Sequence, residues 1–210
     1  MTIDFTPAAV GTDPWSVNGN HHQQIDTARQ LTQAELAQAL PRRWNHSQGV
    51  ARAAESLRHI GGRGDLLVAA AWLHDIGYAP RLAHTGFHPL DGARFLRDAA
   101  PDLDPRIVQL VANHSFALLE AEERGLRGEL EGAFPILNDE LLVAALVYCD
   151  MTTTPDGDPT TADARINEIL ARYGPDTVVS RFIRRATPAI QHSVHLVQDR
   201  IAEASQPNPH

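Results

Sequence analysis

The chain contains no lysine: all 18 of its basic residues are arginine. Schiff-base chemistry and the phosphate-binding P-loop both depend on a lysine amine, so neither is expected. Cysteine is almost as scarce. Cys149 stands alone, which rules out an internal disulfide and a Cys-x-x-Cys zinc site, and it suits a reducing compartment. No apolar run approaches the ~18 residues a membrane helix needs. The opening MTIDFTPAAVGTDPWSVNG lacks the basic-then-apolar order of a secretory signal, so a cytoplasmic location is expected. Nor is there a Gly-x-Ser-x-Gly elbow for a serine nucleophile. A formal charge of −8 argues against a nucleic-acid backbone as partner.

What remains is ordinary globular material, 210 residues long and 43% hydrophobic, enough for one substantial core. Residues 1–30 are mixed and polar and read as a loose N-terminal arm. Nearly everything from 31 to 205 has helical periodicity, with no convincing period-2 strand and no internal repeat. Thr32 to Glu35 has capping-box spacing. Helices are expected at about 42–60, stopping at Gly61-Gly62, and at about 65–76, stopping at Gly77. Pro89 and Pro105 sit where a first helical turn tolerates proline. Further helices are expected at about 116–126, 139–150, 161–173, 176–186 and 188–204. The fold class is all-α, as a single domain.

Ionisable residues continue the apolar stripes of several of these helices. Val50, Leu57 and Ile60 mark the buried face of one, and four residues before Val50 stands His46. Ile107, Leu110 and Val111 lead to His114. Val143, Leu146 and Val147 lead to Asp150. The greasy segment LLVAAAWL, residues 66–73, runs directly into His74 and Asp75. A single histidine on an apolar face is usually a hydrogen-bonded core residue. Several helices ending this way are harder to accept, because each buried ionisable group carries a desolvation cost. Imidazoles and carboxylates that converge satisfy one another around a cation, and that donor mixture suits Fe, Mn, Co, Ni or Zn.

His46, the His74-Asp75 pair and Asp150, in that order, resemble the signature of the HD-domain superfamily of metal-dependent phosphohydrolases. The resemblance covers residues 40–175 and implies an all-helical bundle with a metal site in its core, bound by those four residues. GFHPLDGARFL and VANHS resemble segments of the binuclear branches, which include HD-GYP phosphodiesterases and dinucleoside tetraphosphate hydrolases. That implies two metals per chain, bridged by Asp75, the second held by His88 and His114. Many relatives follow the dipeptide with lysine, where this chain has Tyr78. A phosphate contact through that lysine is therefore missing or passes to an arginine such as Arg81 or Arg165. The full HD-GYP motif is absent, which speaks against cleavage of a cyclic dinucleotide.

The resemblance implies hydrolysis of a nucleotide or other small phosphate ester by a metal-activated water, with Asp75 and His114 as catalytic residues. Substrate contacts are sought at His84, Arg81, Thr153 and Arg165. For Thr153 an ordinary capped loop is the plainer reading, and for Arg165 an i,i+3 pair with Glu168. Two rivals keep the same fold: an oxygenase holding two irons, similar to myo-inositol oxygenase, and a non-catalytic nucleotide-sensing module stabilised by metal.

Overall fold

The computed structural model describes residues 17–206, and among these it is built of helices. In chain order they are α1 (Val17–Leu36), α2 (Pro41–Ser56), α3 (Gly64–Leu73), α4 (His88–Ala99), α5 (Pro105–Asn113), α6 (Ala117–Glu123), α7 (Arg127–Ala133), α8 (Glu140–Met151), α9 (Ala162–Tyr173) and α10 (Val178–Ala204). Single 3-10 turns follow α3 at Ile76–Tyr78 and α5 at His114–Phe116. The only β-type pairing among the described residues is an isolated bridge between Thr153 and Pro159. No described helix is long and apolar enough to cross a membrane.

α3 is the central post. Leu66 to Ala71 and Leu73 are buried, so the helix is apolar all round and is covered by α1, α2, α5 and α8. Full burial of a leucine there contributes roughly 1.5–3 kcal/mol. Trp44 of α2 stacks on Trp72 of α3 with ring centroids 5.4 Å apart, pinning the two helices side by side. α8 is apolar in the same way and separates this core from a second one. There Val147 and Met151 meet Ile166 and Ile169 of α9 and Phe182, Ile183 and Ile190 of α10. Side chains mark several helix starts: Asp104 accepts from Arg106 N, Asp139 from Leu142 N, Thr161 from Ala164 N and Thr177 from Ser180 N.

The observed elements depart from the sequence reading in four places. Residues 17–30 are helical and belong to α1, which packs on α3. Its buried stripe is Gln24, Ala28, Thr32 and Leu36, spaced by four but half polar, which hides it from a hydrophobicity count. Thr32 is consequently in mid-helix and caps nothing: its hydroxyl lies within hydrogen-bond distance of the carbonyls of Ala28 and Trp72. α7 holds its place through Leu130 alone, too weak a periodicity to stand out. The helices expected at 176–186 and 188–204 are one, with Pro188 inside α10. The face carrying Ile183, Ala186, Ile190, Val194 and Val197 runs unbroken past the proline, and its burial outweighs the lost backbone bond. Finally, α2 and α3 end earlier than expected, at Ser56 and Leu73.

Candidate metal centre

Two close backbone approaches bring the ionisable residues together. Gly49 of α2 lies against Gly157 and Thr153, and a Cβ on Gly49 would collide with the Gly157 carbonyl. That contact seats the loop after α8 on α2, so that the Thr154 carbonyl meets His46 Nδ1 at 2.9 Å. Gly77, just past the His74-Asp75 pair, lies against the start of α4, where a Cβ would meet the His88 carbonyl. His88 is thereby brought beside Asp75.

The ring orientations are set by carbonyl oxygens. His46 Nδ1 faces Thr154 O, His74 Nδ1 faces Ala71 O at 2.8 Å, and His114 Nδ1 faces Val111 O at 2.7 Å. A carbonyl only accepts, so in each neutral ring Nδ1 carries the proton and Nε2 presents its lone pair. Those lone pairs converge on carboxylate oxygens. Asp75 Oδ2 lies 3.7 Å from His46 Nε2 and 3.4 Å from His74 Nε2. Asp150 Oδ1 lies 3.1 Å from His46 Nε2 and 3.8 Å from His74 Nε2. The other oxygen of Asp75, Oδ1, lies 3.4 Å from His88 Nε2 and 4.0 Å from His114 Nε2, and those two nitrogens are 3.1 Å apart.

Acceptors facing acceptors at such distances repel unless a cation or a proton lies between them. Two groups therefore fit a metal ion: His46, His74 and Asp75, with ligand atoms within 4.8 Å of one another, and Asp75, His88 and His114, likewise. Asp150 Oδ1 lies beside the first group, nearest His46. The buried Nε2 of His74 has no hydrogen-bond partner, which is what a ligand nitrogen awaiting an ion looks like. The mixed imidazole and carboxylate donors suit a divalent transition metal.

Protonation follows the same geometry. Burial opposes a charge on His74, but Asp75 and Asp150 prevail and raise it to about 9, so a proton takes the ion's place there. Burial also opposes ionisation of Asp75 and Asp150. Arg43 and His74 nonetheless hold Asp75 well below the usual carboxylate range, and His46 and His74 do the same for Asp150. His88 and His114 are pushed down, first by burial, which keeps their lone pairs available. An ion held by the second group would draw on His114 Nε2, while its Nδ1 already faces Val111 O.

A cavity opens over the second group, with about 620 Å³ of free space including its mouth. Asp75, His88, His114 and Asp150 form part of its lining, whereas His46 and His74 lie behind it. Three arginines reach it: Arg43 from α2, and Arg165 and Arg172 from α9. Ile169, Val179, Phe182 and Ile183 give the same cavity an apolar part of its wall. Of the residues sought as substrate contacts, only Arg165 is on the cavity. It is buried, pairs with Glu168 through Nη1, and its Nε has no partner. Arg81 instead reaches back to Glu35 of α1 and lies over Phe95, exposed. His84 is exposed on the loop before α4. Thr153 is buried with its hydroxyl donated to Cys149 O, so it serves the turn after α8.

Several residues at the site escaped the sequence reading. Arg43 stands one turn before His46 on the same face of α2, a spacing that would have found it. Glu120, buried beside Arg124, also lines the cavity, and burial raises its carboxyl. Ser115 donates from its hydroxyl to Asp150 Oδ2. It gave no signal, because its role depends on left-handed backbone at Ser115 and Phe116 (φ 47° and 63°) that turns the chain directly after His114. Such backbone in non-glycine residues is costly and gathers at functional sites.

A family model described as HD domain matches residues 43–164. Comparison with curated proteins and with solved structures gave no significant match. The match spans the helices that carry His46, the His74-Asp75 pair, His88, His114 and Asp150, and more than half of the chain, so this protein belongs to the HD domain family.

Proposed function

We propose that the protein is a phosphohydrolase that acts on a nucleotide or other small phosphate ester with two divalent transition-metal ions per chain. The observation that carries the reading is the sharing of Asp75. Its two oxygens face two separate sets of imidazole lone pairs, and the second set opens on the cavity. When bound, such ions supply positive charge to phosphoryl oxygens and lower the pKa of water.

The chain's own groups support the rest. Asp75 couples the two sets and holds them at a fixed separation. Carbonyl contacts keep His46, His74 and His114 in the ligand tautomer, so little reorganisation accompanies binding. Ser115 holds Asp150 by its outer oxygen and leaves Oδ1 toward the histidines. Arg43, Arg165 and Arg172 give the cavity the cations that an anionic substrate needs, and guanidinium suits phosphate geometry. The apolar wall excludes water and accepts the face of an organic group.

The test is metal analysis of anaerobically purified protein, followed by a phosphate-release screen over nucleotides and simple esters. The expected result is release that chelation abolishes and added Mn²⁺, Co²⁺ or Fe²⁺ restores. Two irons per chain with oxygen uptake and no phosphate release would replace this reading by the oxygenase one.

A further inference from the structure

Arg43 is held by two neighbours at the cavity wall. It stands in the first turn of α2, and its Nη1 donates to Asp75 Oδ2 at 2.6 Å. That is the oxygen which also faces His46 and His74. Its guanidinium carbon lies 4.0 Å from the centroid of the Tyr78 ring, a cation-π distance. Tyr78 in turn stacks on His88, centroids 3.9 Å apart and planes 18° from parallel. The guanidinium is thus fixed relative to a residue of each ligand group.

A guanidinium has five N–H donors in one rigid plane. An ion held by His46, His74 and Asp75 draws on the oxygen that now accepts from Arg43. The carboxylate's negative charge is then divided, and Arg43, which lines the cavity, has further donors for an anion there. The phosphoryl group of the substrate supplies it.

Building on the hydrolase reading, we propose that Arg43, positioned by Tyr78, binds a non-ester oxygen of the substrate phosphoryl group, and that the substrate is a phosphate monoester. Two ligand groups and Arg43 make three cationic partners around one carboxylate. A monoester has three non-ester oxygens to meet them, whereas a diester has two.

Inorganic phosphate probes Arg43, and two chromogenic esters probe the substrate class. In calorimetric titration of the Mn²⁺-loaded protein, Arg43→Ala binds phosphate about tenfold or more weakly than wild type, the loss expected for a charge-assisted hydrogen bond. Tyr78→Phe, which keeps the ring, retains wild-type affinity, and Tyr78→Leu loses part of it. Bound Mn²⁺ per chain is counted in each sample. Equal phosphate affinity in wild type and Arg43→Ala overturns the role of Arg43, and equal affinity in Tyr78→Phe and Tyr78→Leu overturns that of Tyr78. Should Arg43→Ala lose its metal or its fold, Arg43→Lys takes its place: it keeps the charge without the fork, and undiminished affinity there overturns the role. Wild type alone decides the substrate class. It turns over p-nitrophenyl phosphate faster than bis(p-nitrophenyl) phosphate, and equal or faster turnover of the diester overturns the monoester assignment. Turnover of neither refutes the hydrolase reading and the monoester assignment with it, while the phosphate titration still decides Arg43.

Discussion

The two ligand groups share Asp75 and differ in how they meet the cavity. In the inner group His46 and His74 are 1% and 0% exposed and lie behind the cavity wall. In the outer group His88 and His114 line the cavity, and the His88 side chain is 13% exposed and braced by the Tyr78 ring. Burial on all sides favours tight retention of an ion, since His74 Nε2 has no hydrogen-bond partner to compete for it. An open face favours exchange and contact with substrate.

The largest effect expected is from the residue common to both. Asp75→Ala removes one oxygen from each group, so bound metal per chain falls toward zero and turnover falls to background. Metal content by mass spectrometry and phosphate release read this together. If the variant still binds a full complement of metal, the two groups do not share a ligand.

The next comparison separates them. His88→Ala leaves one ion bound and removes most turnover, while His46→Ala mainly weakens the inner site and lowers total metal at limiting concentration. Losing a ligand of a closed site costs at least as much as losing an outer contact, which is roughly 10–100-fold in affinity. A wild type holding one ion, together with a His88→Ala variant that keeps that ion and full activity, would abolish the distinction.

A smaller effect appears as pH dependence of the metal-free protein. His74, near 6.5 when unfolded, is raised to about 9 in the fold, so its proton stabilises fully below pH ~6.5 and that contribution is lost as pH rises through about 9. His88 and His114 are lowered, so they disfavour the fold as pH falls below about 6.5. Thermal melts in chelator should therefore show Tm greatest near pH 6.5 and falling toward 9. With metal bound the fall on the alkaline side disappears, because the ion has replaced the proton. A flat profile in chelator would show that His74 is not charged in the apo state.

The smallest effect belongs to Arg81, which pairs with Glu35 away from the cavity. Arg81→Ala should leave turnover and phosphate affinity at wild-type values and change Tm by a few degrees at most. Loss of activity there would mean that the cavity extends further than its lining residues indicate.

The all-helical architecture, and the six side chains His46, His74, Asp75, His88, His114 and Asp150 that lie close together, were legible in the sequence because both rest on local periodicity and motif order. A residue four positions from a buried valine is on the buried face wherever the helix goes. Legibility failed where burial was polar or long-range. Gln24 and Thr32 sit on the buried stripe of α1 because Asp102, Asp104 and Trp72 supply their partners, and none of these is near in sequence. Arg165 and Arg81 were alike in sequence as arginines that could replace the missing lysine contact to phosphate. Packing sent one to the cavity and the other to Glu35 on α1. Which oxygen of Asp75 faces which histidines, and that Arg43 shares one of them, follow from how α2, α3, α4 and α5 are set against one another. Side-chain identity fixes what a group can donate or accept. Only the packed fold decides what stands opposite it, because those distances arise between residues far apart along the chain.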